Sequence, residues 1–518
     1  MTPKSSILYQ NADATIFLLD IPTSIALAQE LPPQTTSPGA SPDAQADTTP
    51  DQNIPGEQDQ GRKKNLLSSP PLKSPYTPTE PKTEAARAKV LASIPRSQRD
   101  FASSVEPLLS NALVEIRRSF REDLKWCLPR CLLGRLEPES HGHEDGSPGE
   151  AVVRLGKRKR WSAEKYPNAL GTECNFQPGC FESTAYNGIM HEPPLILASG
   201  MNRFRHKADI CNQLVKNTSS ETATVQIPCS YRYGAGQARP RRYRKHRVMI
   251  PPLSNFLICT LPLVSTESTS DTQAGPIPQL PRTKRFNLIL LDPPWSNRSV
   301  QRSGHYQTQS RFDTDMLTQK ICDILGVHSY SPSFSMVDEE PNSTEKATQS
   351  KLSIAAIWIV NSVRSRKVAT DSLKGAGFTV SEEWVWIKTT VDGQPVTPVN
   401  GLWRKPYEVL LIGRRRVSSE ADSAGAGAGA GIRRRVIAAV PDVHSRKPNL
   451  REVFETVFFA DGCPGPGPDS AGVGRSLRYS ALEVFARNLT AGWWAVGNEV
   501  LKFNSEEWWT NDEPECPS

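Results

Sequence analysis

The sequence predicts an α/β protein, with a doubly wound domain in its C-terminal half and a looser N-terminal half. Three observations carry that reading. From residue 248 onward, short runs rich in Val, Ile and Leu alternate with amphipathic helical segments, the pattern of strands in a mostly parallel sheet. One such run, 286–291, is apolar along most of its length, as suits a strand buried on both faces, and it stops at Asp292-Pro293-Pro294-Trp295. The first half, by contrast, is dominated over long stretches by Pro, Ser, Thr and Gln.

Composition sets the outer limits. The chain has 518 residues, enough for one domain of about 200–250 residues plus a second module or long tails. Its hydrophobic content is 37%, and with 44 prolines a sizeable part is expected to lie outside any packed core. The net charge of +7 is compatible with a polyanionic partner. Ten cysteines form no CxxC pair and have no histidine at zinc-finger spacing, so no metal is expected and the thiols are read as reduced. The apolar patch 14–19 is interrupted by Asp20 and Pro22, too short to span a bilayer, so no membrane association is expected.

In chain order, residues 1–29 read as a short ordered element: a strand over 14–21 and a helix over 24–29 that docks on the main body. Residues 30–96 have few apolar positions and are expected to form a disordered linker. Residues 97–247 read as an accessory, partly helical region. There Val105, Leu109, Leu113, Ile116, Phe120 and Leu124 recur at three- and four-residue steps, predicting an amphipathic packing helix that runs to Pro129. The same region carries two basic clusters, 157–160 and 239–247, suited to phosphate contact, to nuclear import or to a solvated loop, and the N-terminal half is where a protein partner would dock. The α/β domain spans 248–510. Its strands are expected at 255–260, 286–291, 355–360, 383–388, 408–413, 436–440, 481–485 and 493–496, with helices at 363–375 and 449–458. Three low-complexity or polar inserts, 266–281, 330–349 and 424–431, read as loops.

The chemistry concentrates at Asp292. The two prolines cannot extend the strand, so the carboxylate stands at its carboxyl end, where ligands bind in open α/β sheets. An exocyclic amine on a planar heterocycle is a poor nucleophile because its lone pair is delocalised into the ring. Two acceptors aimed at its N–H bonds draw the nitrogen toward tetrahedral geometry. The Asp292 carboxylate and the Pro293 carbonyl, stiffened by Pro294, can supply them in advance of substrate, and Trp295 offers a face for a base.

These residues resemble the MT-A70 family of S-adenosylmethionine-dependent adenine N6-methyltransferases, most of all its methyltransferase-like protein 4 subgroup. The resemblance starts at Asp292-Pro293-Pro294-Trp295 and Asn297. It continues in order through Lys405-Pro406-Tyr407-Glu408, His444 to Pro448, Leu482 to Asn488, Gly492-Trp493 and Gly497 to Lys502. About residues 250–505 are covered. The resemblance implies a Rossmann-like fold of permuted order, in which the catalytic strand precedes the cofactor-binding half. It further implies catalytic roles for Asp292, Pro293, Pro294 and Trp295, and S-adenosyl-L-methionine contacts from Cys259, Asp292, Lys447, Arg487, Asn488, Asn498 and Glu499. Substrate contacts are implied for Trp295, Asn297, Tyr407 and Glu408. Glu483, four residues before Arg487, is expected to orient it, and His444 to be structural. One departure is Thr260, where the family usually carries an acid.

The expected activity is methyl transfer to adenine N6 in nucleic acid, either RNA (including 2′-O-methyladenosine in small nuclear RNA) or DNA, with a nuclear or also cytoplasmic location. Two other readings stand beside it: a catalytically silent nucleic-acid-binding subunit, and an enzyme acting on another amine such as protein glutamine. The intact tetrapeptide, with Trp in its fourth place, favours an active adenine enzyme.

Overall fold

The computed structural model describes residues 4–32, 64–77, 80–120, 125–133, 193–230, 243–261, 275–295, 314–330, 353–415, 431–459 and 479–512. The first strands are β1 (Ile7–Gln10), β2 (Ile16–Leu19), β3 (Asn65–Ser68), β4 (Cys131–Leu132), β5 (Leu195–Leu197) and β6 (Gly200–Arg203). They are followed by β7 (Leu214–Asn217), β8 (Ala223–Ser230), β9 (Tyr243–Ile250), β10 (Asn255–Ile258), β11 (Leu288–Leu291) and β12 (Ile354–Ile359). The last are β13 (Thr379–Lys388), β14 (Tyr407–Arg414), β15 (Arg433–Ala439), β16 (Ala481–Val484), β17 (Trp494–Gly497) and β18 (Trp509–Thr510). The helices are α1 (Ile21–Leu27), α2 (Glu84–Ser93), α3 (Arg96–Ser119), α4 (Thr314–His328), α5 (Val363–Gly375) and α6 (Arg451–Phe458).

Among the described residues, twelve strands form one sheet in the order β1-β2-β15-β13-β14-β12-β11-β16-β17-β10-β7-β5. From β12 through β11, β16 and β17 to β10 all neighbours are parallel, and β14 is an antiparallel insertion between β12 and β13. The chain leaves β11 toward β12 on one side and returns much later as β16 on the other. This makes β11 a switch point, with a crevice beyond its carboxyl end. Side chains on β11 alternate between the two faces. Ile289 and Leu291 enter the apolar layer built with α3, α4 and α5, while Leu288 and Leu290 enter the layer built with α1 and α6. A strand covered on both faces has no use for polar residues until it ends.

The N-terminal segment is part of this sheet. β2 pairs in parallel with β15, and β1 folds back on β2. The strand expected over 14–21 stops at Leu19 because Asp20 caps α1, its Oδ2 accepting the Thr23 N–H at 3.1 Å.

The linker expected over 30–96 needs correcting. Within it, β3 pairs with β18 and with β4, and Leu66 is buried beside Trp509; α2 follows. Low local hydrophobicity did not prevent order, because partners from the far end of the chain complete the strand. Helix α3 buries Val105, Leu109, Ala112, Leu113 and Ile116 against the sheet, but it ends at Ser119, where Phe120 turns to extended backbone, and not at Pro129. The cluster 157–160, residues 239–242 and the three inserts lie wholly or largely outside the described residues.

The accessory region is strand-rich where it is described. β6, β8 and β9 form a three-stranded sheet that packs behind the domain, meeting Ala486, Leu489, Val500 and Leu501.

Candidate active site

Every expected cofactor residue follows the carboxyl end of a parallel strand: Cys259 after β10, Asp292 after β11, Lys447 after β15, Arg487 and Asn488 after β16, and Asn498 and Glu499 after β17. Glu408 starts the antiparallel β14 and therefore stands at the same edge. The alternation of strand and crossover thus gathers residues spread over 240 positions onto one rim.

There the charged side chains form an alternating ladder. Lys388 Nζ lies 2.6 Å from Glu408 Oε1, and Glu408 Oε2 lies 2.7 Å from Lys447 Nζ. Lys447 reaches Asp292 Oδ1 at 3.3 Å, and Asp292 Oδ2 faces Arg487 Nη1 at 3.8 Å. Arg487 Nε meets Glu499 Oε2 at 3.5 Å, and Glu499 Oε1 meets Lys502 at 3.1 Å. Burial disfavours charge on Lys447, but Asp292 and Glu408 outweigh it and hold its pKa above the ordinary lysine value. Burial likewise works against Glu408, yet Lys447 and Lys388 together keep its carboxyl well below the usual range. Glu483 behaves differently. It sits on β16 beside β11, and burial, followed by the Asp292 charge, pushes it up to about 8, with Arg487 pulling the other way. At neutral pH the rim therefore holds one protonated carboxyl beside the ionised ladder.

The backbone is built to place these groups. The Asp292 N–H donates to the Val484 carbonyl at 3.2 Å, tying the end of β11 to β16. The Pro293 carbonyl accepts the Trp295 N–H at 2.8 Å in a tight turn, which fixes its direction and leaves its second lone pair for another donor. The Trp295 indole donates to the Trp358 carbonyl at 2.8 Å, anchoring the motif to the end of β12. Arg487 donates to the Ser445 carbonyl at 3.0 Å. Ser445 and Phe485 both take left-handed backbone, φ 68° and 61°, and both flank the ladder. Non-glycine residues hold that conformation where surrounding structure imposes it, often at functional sites. At Gly497 a Cβ would come within 3.2 Å of the Ala486 N and O, so the loops after β16 and β17 touch backbone to backbone.

Beneath the loop of Lys447 lies a buried ion network. Asp442 is held by Arg446 at 2.6 Å and Arg130 at 3.9 Å, with all three side chains essentially closed to solvent. Arg446, the residue before Lys447, also stacks its guanidinium over Phe503 and Trp508. On the other side, the Asn449 N–H donates to Ser24 Oγ at 3.0 Å, and Gln29 donates to the Leu489 carbonyl at 2.9 Å. The N-terminal element thus braces both loops.

The structure therefore joins Asp292, Glu408, Lys447, Arg487 and Glu499 in one constellation. Cys259 lies at the same rim through its backbone, but its thiol is buried among apolar side chains, and burial pushes it up to about 12. Asn498 is exposed on the turn after β17. Asn488 Nδ2 is buried with no hydrogen-bond partner among the described residues, an expensive state that a ligand acceptor would relieve. Tyr407, expected on the substrate side, is 2% exposed, and its ring packs in the core while its neighbour Glu408 joins the ladder. Asn297 lies outside the described residues. Lys388, Ser445 and Lys502 were not singled out from the sequence. Lys388 ends its predicted strand and Lys502 closes a matched motif, and those positions were the only signal.

A mostly parallel sheet with a carboxylate at its switch point is the architecture of a Rossmann-like methyltransferase. The family model for MT-A70 matches residues 345–499. The chain is 38% identical over 228 residues (43% of its length, 54% of the relative's) to the N6-methyladenosine RNA methyltransferase MTA1 of Cryphonectria parasitica. It is 27% identical over 516 residues, 99% of this chain and 98% of the relative, to the protein of the same name from Pyricularia oryzae. It is also 27% identical to the N(6)-adenine-specific methyltransferase METTL4 of Mus musculus, over 60% of this chain and 51% of the relative. Apart from the Pyricularia protein, these matches span about half of each relative's length. Over residues 345–499 the chain is thus similar to MT-A70 proteins.

Proposed function

We propose that this protein transfers a methyl group from S-adenosyl-L-methionine to the N6 amine of adenine in a polynucleotide, with RNA the first candidate. The observation that carries this reading is Asp292 at the end of β11, held between Lys447 and Arg487 and followed by the fixed Pro293 carbonyl. The unpaired Asn488 amide, the ladder cations and the close-packed loops at Gly497 fit a ligand carrying carboxylate, hydroxyl and purine groups. When bound there, the cofactor would supply an electrophilic methyl group on a sulfonium.

The remaining work falls to the chain. Asp292 and the Pro293 carbonyl accept the two N6–H bonds and localise the nitrogen lone pair, in acceptors oriented beforehand. The amine becomes cationic as it is methylated, and the nearby carboxylate stabilises that charge until a proton is lost to Asp292 or water. Trp295, immobilised by Trp358, is placed to pack against the base. The base reaches this rim from a single strand or after leaving a duplex stack. Relatives named as RNA methyltransferases support RNA, and a nuclear location suits that substrate and the Lys/Arg-rich runs.

The test is methyl transfer from labelled cofactor to matched RNA and DNA oligonucleotides, each with and without a 2′-O-methyl on the target adenosine in the RNA arm. Wild type should label adenine N6, and Asp292→Ala should fall by at least about a hundredfold while keeping its fold by circular dichroism. Full activity in Asp292→Ala would overturn the assignment.

A further inference from the structure

The loop of residues 389–406 joins β13 to β14 and rises from the same sheet edge as Asp292. Its base is closed by the Lys388–Glu408 pair and by the Lys388 N–H, which donates to the Pro406 carbonyl at 2.8 Å. An earlier segment of chain staples it at three heights. The Val391 N–H donates to the Leu72 carbonyl at 3.0 Å, and the Tyr76 N–H donates to the Val396 carbonyl at 2.9 Å. Higher up, the Leu402 N–H donates to both carboxylate oxygens of Glu80, at 3.1 and 3.2 Å. Gly401 sits where a Cβ would come 3.0 Å from the carbonyl oxygens of Pro398 and Arg404, so the tip is packed backbone on backbone. Lys405 is held by Glu106 at 2.6 Å.

A loop fastened this thoroughly would be expected to tuck its large apolar side chains away. Instead Trp403 is 56% exposed and Tyr76 is 59% exposed, with the cations Arg404 and Lys73 also exposed. Single exposed aliphatics are ordinary, but rigid exposed aromatics interleaved with cations are what a strand of nucleic acid uses: bases stack on the rings and phosphates meet the charges. Trp403 is five residues from Glu408, so along the chain it lies at most about 17 Å away. That is within about five stacked nucleotides at roughly 3.4 Å each.

We propose that Trp403, with Tyr76 and Arg404, forms a stacking platform for the nucleotides that flank the target adenine on a single strand. The inference deepens the methyltransferase reading and rests on it for the identity of the target. The platform sets affinity for the strand and tolerates its sequence, since every base has a π-face. It also makes a longer oligonucleotide a better ligand than a short one, at unchanged cofactor affinity.

The test is fluorescence anisotropy of labelled single-stranded RNA and DNA 12-mers and trimers on the full chain. It uses wild type, Trp403→Ala, Trp403→Phe and Tyr76→Ala, with thermal melting and cofactor titration run beside it. The platform predicts that Trp403→Ala weakens 12-mer binding at least fivefold, that Tyr76→Ala weakens it less, and that Trp403→Phe retains most of it. Trimer binding, melting temperature and cofactor affinity should hold. Equal 12-mer affinity in wild type and Trp403→Ala overturns the platform, as does a variant that changes oligomeric state and leaves strand binding intact. Because binding is read without turnover, strands that bind through Trp403 and are never methylated would defeat the proposed function and leave the platform standing.

Discussion

The protonated state of Glu483 can be tested directly. Its side chain points from β16 into the region shared with Asp292 and Arg487, and burial with the Asp292 charge raises its pKa from the ordinary 4.5 to about 8. Between those two values the native state binds one proton more than the unfolded state, so stability falls as pH rises through the window and levels off above about pH 8. A full shift of that size corresponds to about 5 kcal/mol; because the side chain is partly open to water, we expect about half, roughly 2–3 kcal/mol. Glu483→Gln replaces the protonated acid with a neutral group of the same shape. At pH 5 its melting temperature should match wild type closely; at pH 9 it should exceed wild type by about 3–5 °C. The assay is paired thermal melting from pH 5 to 9 without cofactor. In an Asp292→Asn background the window should move to lower pH, since the neighbouring charge is gone. A melting difference that stays flat across the range would refute the reasoning.

Three further outcomes follow from the same geometry. Lys447→Ala removes the cation shared by Asp292 and Glu408, and cofactor affinity measured by calorimetry should drop at least about tenfold, since a charge-assisted hydrogen bond contributes about 1.5–3 kcal/mol. Asp442→Asn leaves Arg130 and Arg446 buried without their anion, and denaturant unfolding should show a loss of about 3–5 kcal/mol. Cys259, buried and with its thiol pushed up to about 12, should resist alkylation at pH 8 in the native protein and react in urea, as read by mass spectrometry.

Much of the site was legible because the chemistry and the sheet share one cause. A strand buried on both faces is written as an unbroken apolar run, so the first acid after it, Asp292, marks the rim. The same logic places Lys447, Arg487 and Glu499 after strands that read clearly. The sequence places Tyr407 next to Glu408 in a matched motif, but neighbours on a strand face opposite ways, and only the sheet decides which one reaches the rim. Lys388 failed to register for a related reason. A lysine at a strand end is usually a solvated terminus, and its role depends on Glu408, twenty residues away and directed back by an antiparallel turn.

The linker reading failed where long-range partners outweigh local composition. Residues 65–68 have no periodicity that separates them from the polar stretch around them, and their order comes from β18, more than 440 residues later. The same long reach explains the braced loops. Lys447 is positioned by Arg446 and Asp442 beneath it, with Arg130 supplied by the accessory region and Ser24 by the N-terminal element. The charged rim is thus assembled from segments that read separately as tail, linker and domain. A family match confined to residues 345–499 captures Lys388, Glu408, Lys447, Arg487 and Glu499 of the ladder, with Asp442 and Arg446 beneath it, but not Asp292 or the supports Arg130 and Ser24.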